Sequence, residues 1–157
     1  MEQFGGHKYA AGLKLHESKL KSFRSEFEKF SNKNLSENQK IKTCIYDLEI
    51  SLSDLNFKFL KIIEQMGPFG PNNLKPIFCT RNCKSTSQTR AVGNKNKHLQ
   101  LYIKSKNKIL KGIAFGRGDI LNKIKESKAF DILYSIEKNS WNGNTELQLV
   151  IMDIKFK

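Results

Sequence analysis

Apolar residues recur at two different spacings along the chain, and the change falls near Pro76. Before it, the step is three and four. Leu20, Phe23, Phe27 and Phe30 form one apolar stripe, so 17–31 is predicted as an amphipathic helix with Lys19, Lys21, Arg24, Glu26 and Glu28 on its far side. The polar stretch 31–40 reads as a linker. Thr43 to Ile50 has the look of a strand, and Ser53 is positioned to cap a second helix running to about Met66. Leu55, Phe59, Ile62 and Ile63 supply its buried side, and Gly67-Pro68 stops it. A loop over 68–76 follows.

After Pro76 the step becomes two. Strands are predicted at Ile77–Lys84, Thr89–Gly93, His98–Lys104, Ile109–Phe115, Phe130–Lys138 and Glu146–Phe156. A short helix near Asp119–Ser127 interrupts them, with Asp119 as its cap and Ile120, Leu121 and Ile124 turned inward. Asn142-Gly143 marks a hairpin turn. The fold class expected is α+β, mainly β: a small antiparallel β-barrel of the OB type preceded by two amphipathic helices. An open meander packed on those helices is the alternative. The division expected is 1–38 and 39–157.

Charge sharpens this picture. Twenty-eight Lys and Arg stand against fifteen Asp and Glu in 157 residues, a formal net charge of +13. A lysine-rich background accounts for part of it, but the surplus is concentrated. Between Arg81 and Lys128 the basic residues are opposed only by Asp119 and Glu126, which suits a polyanionic partner. Cys44, Cys79 and Cys83 suit a reducing compartment, and Cys79 and Cys83 read as buried or strand-borne free thiols, since one CxxxC spacing without a second pair is a poor metal signal. No long apolar run or signal peptide is evident, so no membrane contact and a cytoplasmic location are expected.

The strand His98–Lys104 carries the most informative pattern. Leu99, Leu101 and Ile103 alternate toward a core, so His98, Gln100, Tyr102 and Lys104 share the other face. Aromatic rings stack bases and cations take phosphates, so such a row suits a single nucleic-acid strand, although an ordinary solvated strand face has the same alternation. Arg90, Lys95 and Lys97 lead into the row; Arg81 and Arg117 lie on neighbouring elements. Trp141, at the hairpin tip, is placed either to stack a base or to fold back over the barrel end. Gly5-Gly6-His7 brings two small residues and a ring donor close together, a combination that lets backbone N–H groups approach a phosphate. Asp47 and Asp153 lie within apolar strands and are expected to make structural hydrogen bonds. No HExxH, P-loop, Asp/His cluster or Ser-His-Asp arrangement can be argued, so no catalytic and no metal-binding residue is assigned.

Several of these segments together resemble one family. Phe4–Gly12 (FGGHKYAAG) is similar to the DHHA1 motif of RecJ, the single-strand-specific 5′→3′ exonuclease. Ile45–Glu49, Met66–Gly70 with Pro76–Phe78, Val92-Gly93, His98-Leu99 and Ile113–Gly116 follow in that family's order, as do Asn139–Gly143 and Leu147–Leu149 with Asp153. Asn72 and Leu74 depart from the family's Gly and Pro in the loop after Phe69. The resemblance covers nearly the whole chain. It implies a tail of DHHA1 over 1–38, with Gly5, Gly6 and His7 lining a DNA path, and an OB-fold domain over 39–157 holding single-stranded DNA. It further implies a parent enzyme of DNA repair and recombination that uses Mn2+ or Mg2+ bound by a DHH domain. Without those ligands this chain is expected to bind DNA and not cut it, and to hold no cofactor itself. Two other readings remain: a module docking a single-strand-binding protein or a helicase, and part of a DHH-type small-molecule phosphodiesterase.

Overall fold

A computed structural model describes residues 3–41, 43–105, 108–141 and 143–157, without the side chains of Ser105 and Trp141. It divides into two compact units, Met1–Thr43 and Cys44–Lys157. The division falls a little later than the expected 38/39.

The first unit opens on a hairpin of β1 (Gln3–His7) and β2 (Ala10–Lys14), paired antiparallel with Gly6 opposite Ala11. Helix α1 (Leu20–Asn34) carries the anticipated stripe, and Phe23 and Phe27 stack at 5.7 Å. The stretch read as a linker is helical instead. α1 runs on to Asn34, and a short α2 (Glu37–Lys40) follows. Its start is a capping box: the Ser36 N–H donates to Gln39 Oε1 at 2.9 Å.

The second unit begins with a correction. Only Leu48–Glu49 of the expected 43–50 strand is a strand (β3), and it pairs parallel with β4 (Phe78–Cys83). Asp47 lies just before it and holds Ile77 twice. Its N–H donates to the Ile77 carbonyl, and its carboxylate accepts from the Ile77 N–H, both at 2.8 Å. The second helix, α3 (Phe57–Gln65), starts later than Ser53. Ser51 to Asp54 closes as a separate 3-10 turn that buries Leu52, and Asn56 caps α3 by accepting from the Phe59 N–H at 2.9 Å.

The remaining strands are β5 (Arg90–Val92), β6 (His98–Ser105), β7 (Lys108–Ala114), β8 (Phe130–Trp141) and β9 (Asn144–Phe156). The helix α4 (Leu121–Glu126) sits between β7 and β8. Asp119 does not cap it by a side-chain hydrogen bond. It lies inside a 3-10 turn, Gly118–Ile120, that leads into the helix. The sheet order is β3-β4-β8-β9-β7-β6-β5, antiparallel except for β3–β4 and β7–β9.

The order closes on itself, because β4, next to the edge strand β3, and β5, the other edge, are halves of one bent stretch of chain. The Lys104 N–H donates to the Lys84 carbonyl at 3.1 Å, and the Thr86 N–H donates to the Tyr102 carbonyl at 2.8 Å. The first half therefore pairs with β8 and the second with β6. This closes a five-stranded barrel with one interposed helix, the OB arrangement.

The inward residues form one core. Leu99, Leu101 and Ile103 of β6, Ile132, Tyr134 and Ile136 of β8, and Leu149 of β9 are all buried, with Ile124 of α4 and Leu60 and Ile63 of α3 added to the cluster. Tyr134 is the one polar side chain among them. Thr80 Oγ1 donates to the Ile50 carbonyl at 2.6 Å, so the Tyr134 hydroxyl donates to Thr80 Oγ1 at 2.8 Å. Burial pushes this phenol well above its ordinary pKa.

Cys79 and Cys83 are buried free thiols and Cys44 is exposed. Burial raises both buried thiols, Cys83 from 9.0 to about 12. At about pH 8, iodoacetamide should label Cys44 first and the buried pair only on unfolding, as read by mass spectrometry. Equal labelling rates for Cys83 and Cys44 would contradict this burial. The sign for stability follows from the raised pKa. The folded state holds the Cys83 proton more tightly, so this contribution is complete below pH 9.0 and is lost as pH rises toward about 12. Among the described residues no helix is long and apolar enough to cross a membrane.

Candidate nucleic-acid interface

Alternation along β6 puts three fully buried apolar residues on one side and His98, Gln100, Tyr102 and Lys104 on the other. Pairing extends this outer face sideways. Tyr102 lies opposite Lys111, Gln100 opposite Ile113, and Lys104 opposite Ile109. On the other flank Arg90 is opposite Gln100 and Val92 is opposite His98. Past β7, Lys111 pairs with Gln148 and Ile113 with Val150. The barrel thus presents rings, amides and cations on β5, β6 and β7, with a buried layer directly beneath.

Local contacts fix the orientation of these groups. The His98 Nδ1 accepts from the Gly116 N–H at 3.0 Å, and its ring meets Phe115 edge-on at 5.3 Å. That hydrogen bond leaves Nε2 as the protonated nitrogen of the neutral ring. Phe115 itself is 63% exposed. The Tyr102 hydroxyl donates to Gln100 Oε1 at 3.3 Å, and its backbone is held by Thr89 Oγ1, which accepts from the Tyr102 N–H at 3.0 Å. Lys111 Nζ reaches Glu146 at 2.5 Å, toward the β8–β9 hairpin.

The expected residues are distributed unevenly. His98, Tyr102, Lys104 and Arg90 share the β5–β6 surface, and Lys95 and Lys97 stand exposed in the loop joining those two strands. Arg117 follows β7 and pairs with Asp153 at 3.6 Å. Arg81 is elsewhere: its strand pairs with β3 and β8, its Nε donates to Glu49 at 2.8 Å and one terminal nitrogen donates to the Tyr46 hydroxyl at 3.1 Å. The hydrogen bond to Glu49 leads the causes that raise its guanidinium further above its ordinary pKa. Asp131 stands 3.7 Å from the same guanidinium, so Arg81 is held within an ionic network. Gly5, Gly6 and His7 lie on β1 in the first unit, where His7 Nδ1 accepts from the Tyr9 N–H at 3.3 Å. The Trp141 side chain and Asn142 lie outside the described residues, so the placement expected for them stays with the sequence.

Phe115 and Lys111 are members of this face that sequence reading passed over. The signal was available in part, since Lys111 and Ile113 also alternate with the buried Leu110, Gly112 and Ala114. Which of them would oppose Tyr102 depends on the β6–β7 register.

Residues 46–153 match the family described as the RecJ OB domain. The chain belongs to that family. Two relatives of the RecJ OB domain chain are the single-stranded-DNA-specific exonucleases RecJ of Bacillus subtilis strain 168 and Escherichia coli K12. The first is 26% identical over 153 residues and the second 27% over 154, each match covering 98% of this chain. The chain spans only 19% and 26% of their lengths. The crystal structure of RecJ from Thermus thermophilus in complex with Mn2+ superposes on 98% of this chain with a TM-score of 0.65, at 19% identity and over 22% of that protein. It shares the fold. Among the described residues of this RecJ OB domain chain, no group of three or more His, Cys, Asp or Glu is placed to hold a metal ion. These described residues therefore offer no fit to the divalent ions implied by the family resemblance, and no chemical step is derived through one.

Proposed function

We propose that this chain binds single-stranded DNA through the outer face of β5, β6 and β7, as the C-terminal OB region of a RecJ-type 5′→3′ exonuclease. The observation that carries this reading is the row His98, Gln100, Tyr102 and Lys104, with Lys111 opposite Tyr102 and Phe115 exposed beside His98. Bases stack on rings whatever their sequence, and cations answer the phosphates. In this reading the parent enzyme acts in DNA repair and recombination. Hydrolysis, with Mn2+ or Mg2+, belongs to a domain outside this chain, and this chain binds without cutting.

The test is a titration of labelled single-stranded and double-stranded DNA at several salt concentrations. Single strands should bind more tightly than duplex, with log K falling against log salt by roughly 0.7 per phosphate contacted. Equal, weak binding to both forms would leave the +13 charge acting without selectivity and overturn the proposal. One observation favours a second reading, docking of a protein such as a single-strand-binding protein or a helicase. The exposed Phe115 and Met152 follow the paired Ile113 and Val150, adding apolar surface to the face. Displacement of a bound acidic peptide by DNA would show that both use this surface.

A further inference from the structure

The loop joining β5 to β6 holds three of its residues at positive φ. Gly93 has φ +82°, and Lys95 and Asn96 both stand at φ 55°. Consecutive left-handed residues other than glycine are uncommon and persist only where their surroundings impose them. Here the surroundings do. The Gly118 N–H donates to the Lys97 carbonyl at 3.0 Å, and the Asn96 and Lys97 N–H groups donate back within the loop to Gly93 and Asn94 at 3.1 and 3.3 Å. Gly118 lies so close under the loop that a Cβ there would overlap the Asn96 carbonyl oxygen.

The strain is spent on position. Between this loop and 116–119 lies a cleft of about 840 Å³, lined by Lys95, Asn96, Lys97, Gly116, Gly118 and Asp119 among others. Among the described residues Lys95 and Lys97 have no ion-pair partner, in contrast to Lys75, Arg81 and Lys111, which are held by glutamates. The cleft opens beside His98 and Phe115, at the end of β6 and β7 away from Glu146. Lys95 and Lys97 thus stand without an ion pair at this end of the face, where Arg117 is held by Asp153, while Lys111 farther along β7 is held by Glu146.

We infer that this cleft is a phosphodiester-binding subsite, in which Lys95 and Lys97 take a backbone phosphate and Gly118 is the positioning residue that sets their loop. The inference rests on the proposed single-strand reading and deepens it: the strand is anchored by phosphate at the 93–97 end and stacked by its bases along β6 and β7.

Two probes separate the parts, a short dT oligomer and an abasic deoxyribose-phosphate oligomer of equal length, each titrated with the full chain. The abasic oligomer should shift the amide resonances of Lys97, Gly116 and Gly118. Lys95→Ala/Lys97→Ala, which alters only exposed side chains, should weaken both oligomers about tenfold and lower the salt slope by roughly 0.7 for each phosphate released. Gly118→Ala should reproduce that loss of slope with both lysines intact, while Phe115→Ala should weaken dT alone. Unchanged slope and affinity in the double lysine variant, with dT binding still sensitive to Phe115→Ala, would overturn the subsite and leave the stacking face standing. Equal binding of both oligomers, sensitive only to the lysines, would keep the subsite and remove the stacking face. Binding of neither would remove both.

Discussion

Phe115→Ala and Tyr102→Ala are each expected to weaken binding of single-stranded DNA by roughly 1–3 kcal/mol, about 5- to 150-fold, with little change in melting temperature for Phe115→Ala. The reason lies in exposure and support. Phe115 is 63% exposed, so its removal opens no core cavity. Its ring stands in a T-shaped contact with His98, which is itself fixed by the Gly116 N–H. A base stacking there meets a ring that is already oriented, and little side-chain entropy remains to be lost on binding. Tyr102 is half-buried and presents its ring from the middle of β6, opposite Lys111. Tyr102→Phe keeps the ring and removes only the hydroxyl that contacts Gln100, so it should restore most of the affinity. Fluorescence anisotropy with a dT oligomer measures all three. Affinity unchanged in both alanine variants would sink the stacking role of this face.

The sequence made this face visible only as far as one strand could. Leu99, Leu101 and Ile103 announce the buried side of β6, so the outward row follows from the two-residue pleat alone. What stands next to that row does not follow from any local pattern. β7 touches β9 in parallel because the barrel closes, and closure depends on the bend between β4 and β5, where Lys84 and Thr86 switch their pairing to β6. Arg81 shows the same limit from the other side. It sits in a basic stretch, yet its pairing with Glu49 is made by β3 and β4 lying side by side. A charge run gives sign and density, whereas availability depends on partners distant in sequence.

Helix boundaries failed for a different reason. Ser53 and Asp119 are residue types that cap helices, but each had a competitor close by. Ser51 already accepts from the Ser53 N–H, and Asn56 caps α3 once Leu52 and Leu55 are both turned into the core. Asp119 lies within the turn whose first residue, Gly118, is drawn to the Lys97 carbonyl. The capping box at Ser36 and Gln39 was legible as S-x-x-Q and defines the start of α2 inside a stretch whose polarity suggested a linker. Polar composition set against a local hydrogen-bond signature is decided by the signature when the chain can close two donors at once.

Leu101→Ala should be the most damaging single truncation beneath the proposed binding face, lowering stability by about 2–5 kcal/mol. Leu101 has no exposed surface, and the residue directly across the ladder is Gly112. A glycine opposite offers no side chain that could swing into the space, so the cavity relaxes poorly and the cost falls in the upper part of that range. Leu101→Met keeps the volume and should cost less than about 1.5 kcal/mol. Urea unfolding measures both, with the midpoint falling for Leu101→Ala at an unchanged slope. A loss below about 1 kcal/mol would mean that the barrel interior is not packed at this layer. The folded Leu101→Ala chain should still bind, because the backbone of the next residue, Tyr102, is held independently by Thr86 and Thr89. Loss of stability with affinity kept, against the reverse in Phe115→Ala, would separate the buried side of β6 from its neighbouring binding surface as two functions of one pleat.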